Sequence, residues 1–207
     1  GTDPLALTPR ALETVLKSLT DIHVEVAIGS ASACLPQVLD IAKKNVERVK
    51  VHVDAKNMPD LMCEADIAVG AGGTMTWERN CLGLPSIMLI MVENQEKAGR
   101  AMQQHQAAYV IDAQAGYPGA EVARGLDFLA KSSENRLEMS KLSASLGGNN
   151  GAVEIANVLE NAIMSGLKQV KEKLDVEFEV PEKPFPKLTM QEVKEKLAKA
   201  GVEGPKE

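Results

Sequence analysis

The run Val69-Gly70-Ala71-Gly72-Gly73-Thr74-Met75-Thr76-Trp77-Glu78 constrains this chain more than any other stretch, because it reads as the end of a buried strand, a glycine turn and a helix start. Amides in the first turn of a helix have no intrahelical acceptor and carry partial positive charge, so such a junction suits a diphosphate. Gly72 and Gly73 let the backbone come close to a ligand, and Thr74, Met75 and Thr76 are the expected amide donors, with the threonine hydroxyls adding a bond. Glu78, one turn beyond Thr74 on the same helix face, places a carboxylate where sugar hydroxyls can donate to it. The same junction also serves as an ordinary strand-to-helix turn in which threonine caps the helix, and the two uses are compatible.

A second polar loop follows the next strand. Pro85 to Met91 is an apolar run, and Asn94 and Gln95 stand beyond its carboxyl end, as ligands or as caps of the following helix. Ligands of open parallel sheets collect outside the carboxyl ends of the strands, so two loops converge on one edge. The wider pattern alternates. Strands are expected at 23–28, 49–53, 66–70, 86–91 and 108–111. Helices are expected from Thr8-Pro9, around Leu35 to Ala42, from Asn57-Met58-Pro59, and over 75–82 and 95–106. Strands alternating with helices predict an α/β fold, a Rossmann-like parallel sheet with flanking helices and right-handed crossovers. Past Ile111 the pattern turns helical, over 121–130, over 133–146 and from Ala152, with a break at Gly147-Gly148-Asn149-Asn150-Gly151.

The segments Asp66-Ile67-Ala68-Val69, Gly72-Gly73-Thr74, Trp77-Glu78, Leu82-Gly83-Leu84-Pro85 and Asn94-Gln95 together resemble the carboxyl-terminal domain of the UDP-sugar hydrolases of pseudaminic acid biosynthesis, within the GT-B superfamily. The opening Gly1-Thr2-Asp3-Pro4 is similar to the loop with which that domain begins, and the MurG glycosyltransferases share the pattern more loosely. The resemblance covers roughly residues 1–163. It implies that Glu78 meets the ribose, that Gly29 and Ser30 approach the nucleoside, and that Met58 lies where backbone groups read the uracil edge. It also implies a strand ahead of residue 1, which would leave a gap in the sheet. Thr2 and Asp3 would face a cleft between domains.

Composition excludes other classes. A net charge of −6 argues against wrapping a nucleic acid, and no apolar run reaches the length of a membrane span, so a cytoplasmic protein is expected. With aromatic residues at 3%, the core must be built from aliphatic side chains and methionine. Cys34, Cys63 and Cys81 lack paired spacing and read as reduced core thiols; no metal and no cofactor is implied. From Lys168 onward nine lysines face nine acidic residues, so the charge belongs to the first part of the chain. The expected division is therefore a nucleotide-sugar-binding domain over 1–165 and a charged extension over 166–207. The extension carries a strand-like Val176-Glu177-Phe178-Glu179-Val180, prolines 181, 184 and 186, and a capping box Thr189-Met190-Gln191-Glu192.

No histidine stands in a catalytic motif: His23 and His52 belong to strands, and His105 to a helix among glutamines. Sugar release from a nucleotide needs a base for water and a sink for the leaving diphosphate. The chain shows the sink, and no catalytic residue is assigned. The resemblance places the base on an amino-terminal domain, a partner expected in cis or in trans, and the start without methionine fits a piece of a longer polypeptide. Three readings follow: the nucleotide half of a hydrolase releasing UDP from a 6-deoxy-diacetamido sugar, the donor half of a MurG-like transferase, and a truncated or engineered module without catalysis. UDP-sugar is the expected ligand of the first two.

Overall fold

The computed structural model describes residue 3, residues 5–147 and residues 156–165. Contacts group the chain into two compact units, Gly1–Asn149 and Asn150–Glu207. In the second unit the described residues, 156–165, are helical. The expectations for 166–207 lie outside the described residues.

In the first unit the order is α1 (Leu7–Ser18), β1 (Val24–Ile28), α2 (Leu35–Lys43), β2 (Val49–Val53), α3 (Met58–Glu64), β3 (Ala68–Ala71), α4 (Met75–Cys81) and β4 (Ser86–Ile90). A short 3-10 turn, Glu93–Gln95, leads into α5 (Glu96–Gln104), β5 (Tyr109–Asp112), α6 (Gly119–Ala130) and α7 (Ser133–Leu146). This is the expected α/β alternation, with every strand pair parallel. The strands form two groups rather than one sheet: β1 pairs with β2, and β3–β4–β5 make a second ladder. Ala68 pairs with Ser86 and Ala71 with Leu89, while Ile87 pairs with Tyr109. The central strand β4, Ser86-Ile87-Met88-Leu89-Ile90, is buried at every position, as an apolar run covered on both faces must be. Its neighbour β3 is half-buried throughout and has no strand on its other edge among the described residues.

Alternation along β4 sorts the core. Ile87 and Leu89 face a cluster with Leu7, Val122, Leu126 and Leu129, so α1 and α6 cover that side. Met88 and Ile90 face Met102, Ala107 and Ala108 on the α5 side. A third cluster joins Leu12 of α1 to Val26, Ile28, Val38 and Val49. Helix α1 thus packs on both sheets, with Leu7, Val15 and Leu19 on one cluster and Leu12 and Leu16 on the other. Burial of this aliphatic surface, at roughly 25 cal/mol per Å², is what holds the two ladders in one unit.

Helix α1 begins at Leu7, ahead of the Thr8-Pro9 start expected. The cap is Asp3, whose carboxylate oxygens accept the Leu7 and Thr8 amides at 2.9 and 2.8 Å. Partial burial opposes that charge, but the amide bonds from Thr8 and Leu7 outweigh it and hold the carboxyl below its ordinary range. The cysteines also differ from expectation. Cys34 is a buried thiol, its pKa raised by burial and by Asp3, whereas Cys63 and Cys81 are exposed because they fall on the outer faces of short helices.

Candidate functional site

Strand β3 delivers the chain to Gly72, whose amide donates to Leu89 O at 3.0 Å and so extends the β3–β4 ladder by one residue. Gly72 is buried against the end of β4: a Cβ there would lie 2.6 Å from Met88 Cε, 3.1 Å from Ile90 Cδ1 and 3.4 Å from Gln95 Cβ. Absence of a side chain is what brings the glycine turn onto β4 and against the loop that carries Gln95. Gly73 faces open space instead.

The amides of this turn divide into used and free. Thr76 N donates to Gly73 O and Trp77 N to Thr74 O, both at 3.0 Å. Gly73, Thr74 and Met75 donate their amides to no acceptor among the described residues, and all three are exposed. Thr74 already has helical dihedrals, and its hydroxyl makes no capping bond. Three consecutive main-chain donors therefore remain open at the carboxyl end of β3, the arrangement that attracts an anion. Thr76 differs from the donor role expected of it. Its amide is satisfied, and its buried hydroxyl accepts from Arg79 Nη2 at 3.1 Å, because the first turn of α4 rotates it inward.

Glu78 is exposed on α4, and its carboxylate has no ion-pair or hydrogen-bond partner among the described residues, so it is available to hydroxyl donors. Asn94 is exposed in the same way. Gln95 is partly committed, since its Oε1 accepts the Met91 amide at 2.9 Å while its side-chain nitrogen meets no acceptor among the described residues. Gly72 and Gln95 are the pair that the structure brings into contact.

Gly29, Ser30 and Met58 follow the strands of the other ladder. The Ser30 amide donates to Asp54 Oδ1 at 2.9 Å, tying the end of β1 to that of β2. Bonds from Ser30 lower the Asp54 pKa. Met58 is half-buried at the first position of α3. No hydrogen bond links these three to residues 72–78 or 93–95 among the described residues.

Arg79 and Asp54 are additions that sequence reasoning missed. An arginine three residues after Thr76 in a helix reads as solvent-facing, yet Arg79 is only 4% exposed. The signal was its spacing, which sets it on the inner face with Thr76. As for a base, His52 pairs with Glu25 across the β1–β2 ladder, and His23 and His105 are exposed. No group of three potential metal-binding side chains exists among the described residues. Among them, too, no helix is long and apolar enough to cross a membrane.

The family model for the glycosyltransferase family 28 C-terminal domain matches residues 9–159. The chain belongs to that family. Among relatives of this family 28 domain is the spore coat polysaccharide biosynthesis protein SpsG of Bacillus subtilis, 24% identical over 163 residues, covering 78% of this chain and 48% of SpsG. Another is the Bacillus subtilis UDP-N-acetylglucosamine–N-acetylmuramyl-(pentapeptide) pyrophosphoryl-undecaprenol N-acetylglucosamine transferase, 31% identical over 108 residues, covering 50% of this chain and 30% of the transferase. The family 28 domain thus spans about half or less of the length of these relatives. The solved spinosyn forosaminyltransferase SpnP shares the fold at TM-score 0.55 and 17% identity, covering 77% of this chain and 39% of that one. The GT-B half implied by the family resemblance is the fold present.

Proposed function

We propose that this family 28 domain binds the nucleotide diphosphate of a nucleotide sugar at the carboxyl end of β3, with UDP as the nucleotide. The observation that carries the reading is the row of open amides at Gly73, Thr74 and Met75, beside a free Glu78 carboxylate. The diphosphate accepts from the amides, Glu78 accepts from the ribose hydroxyls, and Asn94 with the side-chain nitrogen of Gln95 reaches phosphate or sugar oxygens. Gly29, Ser30 and Met58 line the nucleoside end. The domain is then the electrostatic sink for the leaving diphosphate, and the base belongs to a further domain acting in cis or in trans.

Two fates of the sugar are consistent with such a sink. Transfer to water, as in a UDP-sugar hydrolase of nonulosonic acid synthesis, is favoured by Trp77-Glu78 and Asn94-Gln95 together. Transfer to an acceptor is favoured by the relative named as an N-acetylglucosamine transferase, which matches half of this chain.

Calorimetric or NMR titration with UDP, UMP, GDP and phosphate tests the site. UDP is expected to bind more tightly than the others, and Glu78→Ala to weaken it by roughly 1.5 to 3 kcal/mol, the worth of hydrogen bonds to a charged group. Binding of UDP that is indifferent to Glu78 and leaves the 73–75 amide resonances unmoved would exclude this placement.

A further inference from the structure

Helix α4 buries a charge that no ion pair among the described residues balances. Arg79 is 4% exposed, and every ion pair among the described residues is made by other groups. Its Nη2 donates to two neutral oxygens, Ala71 O at 3.0 Å and Thr76 Oγ1 at 3.1 Å. Its Nε is buried with no hydrogen-bond partner. Its Nη1 lies over Gly70, where a Cβ would come within 2.6 Å of it. Burial depresses the pKa of this guanidinium, and the carboxylate that opposes the shift, Glu78, is exposed.

Arg48, the other arginine with a buried unpaired Nε, makes the contrast. Its Nη2 donates to Leu16 O and Leu19 O at the end of α1, where the negative end of the helix offsets its charge. The Nη2 bonds of Arg79 reach no helix carboxyl end: its acceptors are the last residue of β3 and a threonine in the first turn of α4. Arg79 holds the carbonyl just before the glycine turn and the hydroxyl just after it, so its two bonds flank the three open amides along the chain. A cation buried without a counterion is costly, and an anion arriving nearby offsets part of that cost.

We propose that Arg79 is the counter-charge of the anion site at residues 73–75, acting from behind the loop, so that the domain selects a diphosphate over less charged forms of the same nucleoside. This inference rests on the proposed placement of the nucleotide. Arg79 is a positioning and electrostatic residue and makes no contact with the ligand. Gly70 belongs to the same device, because its missing side chain leaves the space that Nη1 occupies.

The test is an NMR titration of the wild type, Arg79→Met, Arg79→Lys and Gly70→Ala with UDP, UMP and uridine, folding being checked by thermal melts. Arg79→Met is expected to lose roughly 10- to 100-fold in UDP affinity, the range for a through-space charge interaction at the effective dielectric of a protein, to lose less for UMP, and to bind uridine within about twofold of the wild type. Arg79→Lys keeps the charge and is expected to retain most of the preference for UDP. Gly70→Ala displaces the guanidinium and falls between. Loss of UDP and uridine binding by one common factor marks a merely structural role and overturns the inference. Undiminished UDP binding by Arg79→Met overturns it too, while leaving the nucleotide placement standing. A wild type that binds no UDP removes both. If Arg79→Met does not fold, the UDP-to-uridine ratio in Gly70→Ala decides: a ratio unchanged from wild type overturns the proposal, and a reduced one supports it.

Discussion

Gly72 lies directly on Met88: a side-chain carbon on the glycine would sit 2.6 Å from the methionine Cε, inside van der Waals contact. Met88 is wholly buried, in the cluster with Ile90 and Met102, so its methyl has little room to retreat. Gly72→Ala is therefore expected to destabilise the domain by about 1 kcal/mol, the lower end of overpacking costs because the clashing atoms are side-chain tips. It should also lift the turn off β4. The check is a urea midpoint together with amide shifts of Gly73, Thr74 and Met75; unchanged shifts would show that the turn is held by something other than this contact.

Helices α4 and α7 are joined by a buried polar pair. Ser143 Oγ donates to Asn80 Oδ1 at 3.0 Å, and Asn80 Nδ2 donates to Met102 Sδ at 3.3 Å. Both Ser143 and Asn80 are almost fully buried. Ser143→Ala leaves the Asn80 oxygen without a donor and is expected to cost about 1 to 3 kcal/mol, the penalty for orphaning a buried acceptor. Chemical denaturation measures it. Ser143→Ala combined with Asn80→Leu should recover part of the loss, since removing both partners removes the unmet acceptor.

Asp3 sets an acid limit on stability. Its folded-state pKa is lowered by the Thr8 and Leu7 amides despite partial burial, so the folded carboxyl binds a proton less readily than the unfolded one. On acidification the unfolded chain takes up the proton first, and stability falls. The contribution is complete above the ordinary aspartate range near pH 4 and is lost as pH drops through the depressed folded value. Denaturant midpoints recorded from pH 6 to pH 3 should fall for the wild type and fall less steeply for Asp3→Asn, which cannot ionise.

What could be read from sequence, and what could not, follows from which interactions are local. The apolar run at Ser86 to Ile90 and the turn at Gly72-Gly73 announce themselves through burial and backbone demands confined to a few residues. The start of α1 was misplaced because its cap reaches back from Asp3 across a left-handed Ala6, a geometry that propensity does not encode. Strand pairing is non-local, so alternation identified five parallel strands without showing that they form two ladders. Arg79 was missed for a similar reason. Charged helix residues are usually exposed, and only the packing of α4 against Gly70 turns this one inward.

The division into two ladders predicts uneven protection from hydrogen exchange. Strand β4 is hydrogen-bonded on both sides and buried at every position, so its amides should exchange only through the largest opening of the domain. Strands β1 and β3 each pair on one side among the described residues, and β3 is only half-buried. Helix α1 packs on both core clusters, so one ladder opens without the other only if α1 detaches from one of them. Leu12→Ala should therefore speed exchange in β1 and β2 more than in β4, whereas Leu126→Ala, on the α6 side, should act chiefly on β4 and β5. Each truncation is expected to cost about 2 to 5 kcal/mol. Equal acceleration across all five strands in both variants would mean that the two ladders unfold as a single cooperative body.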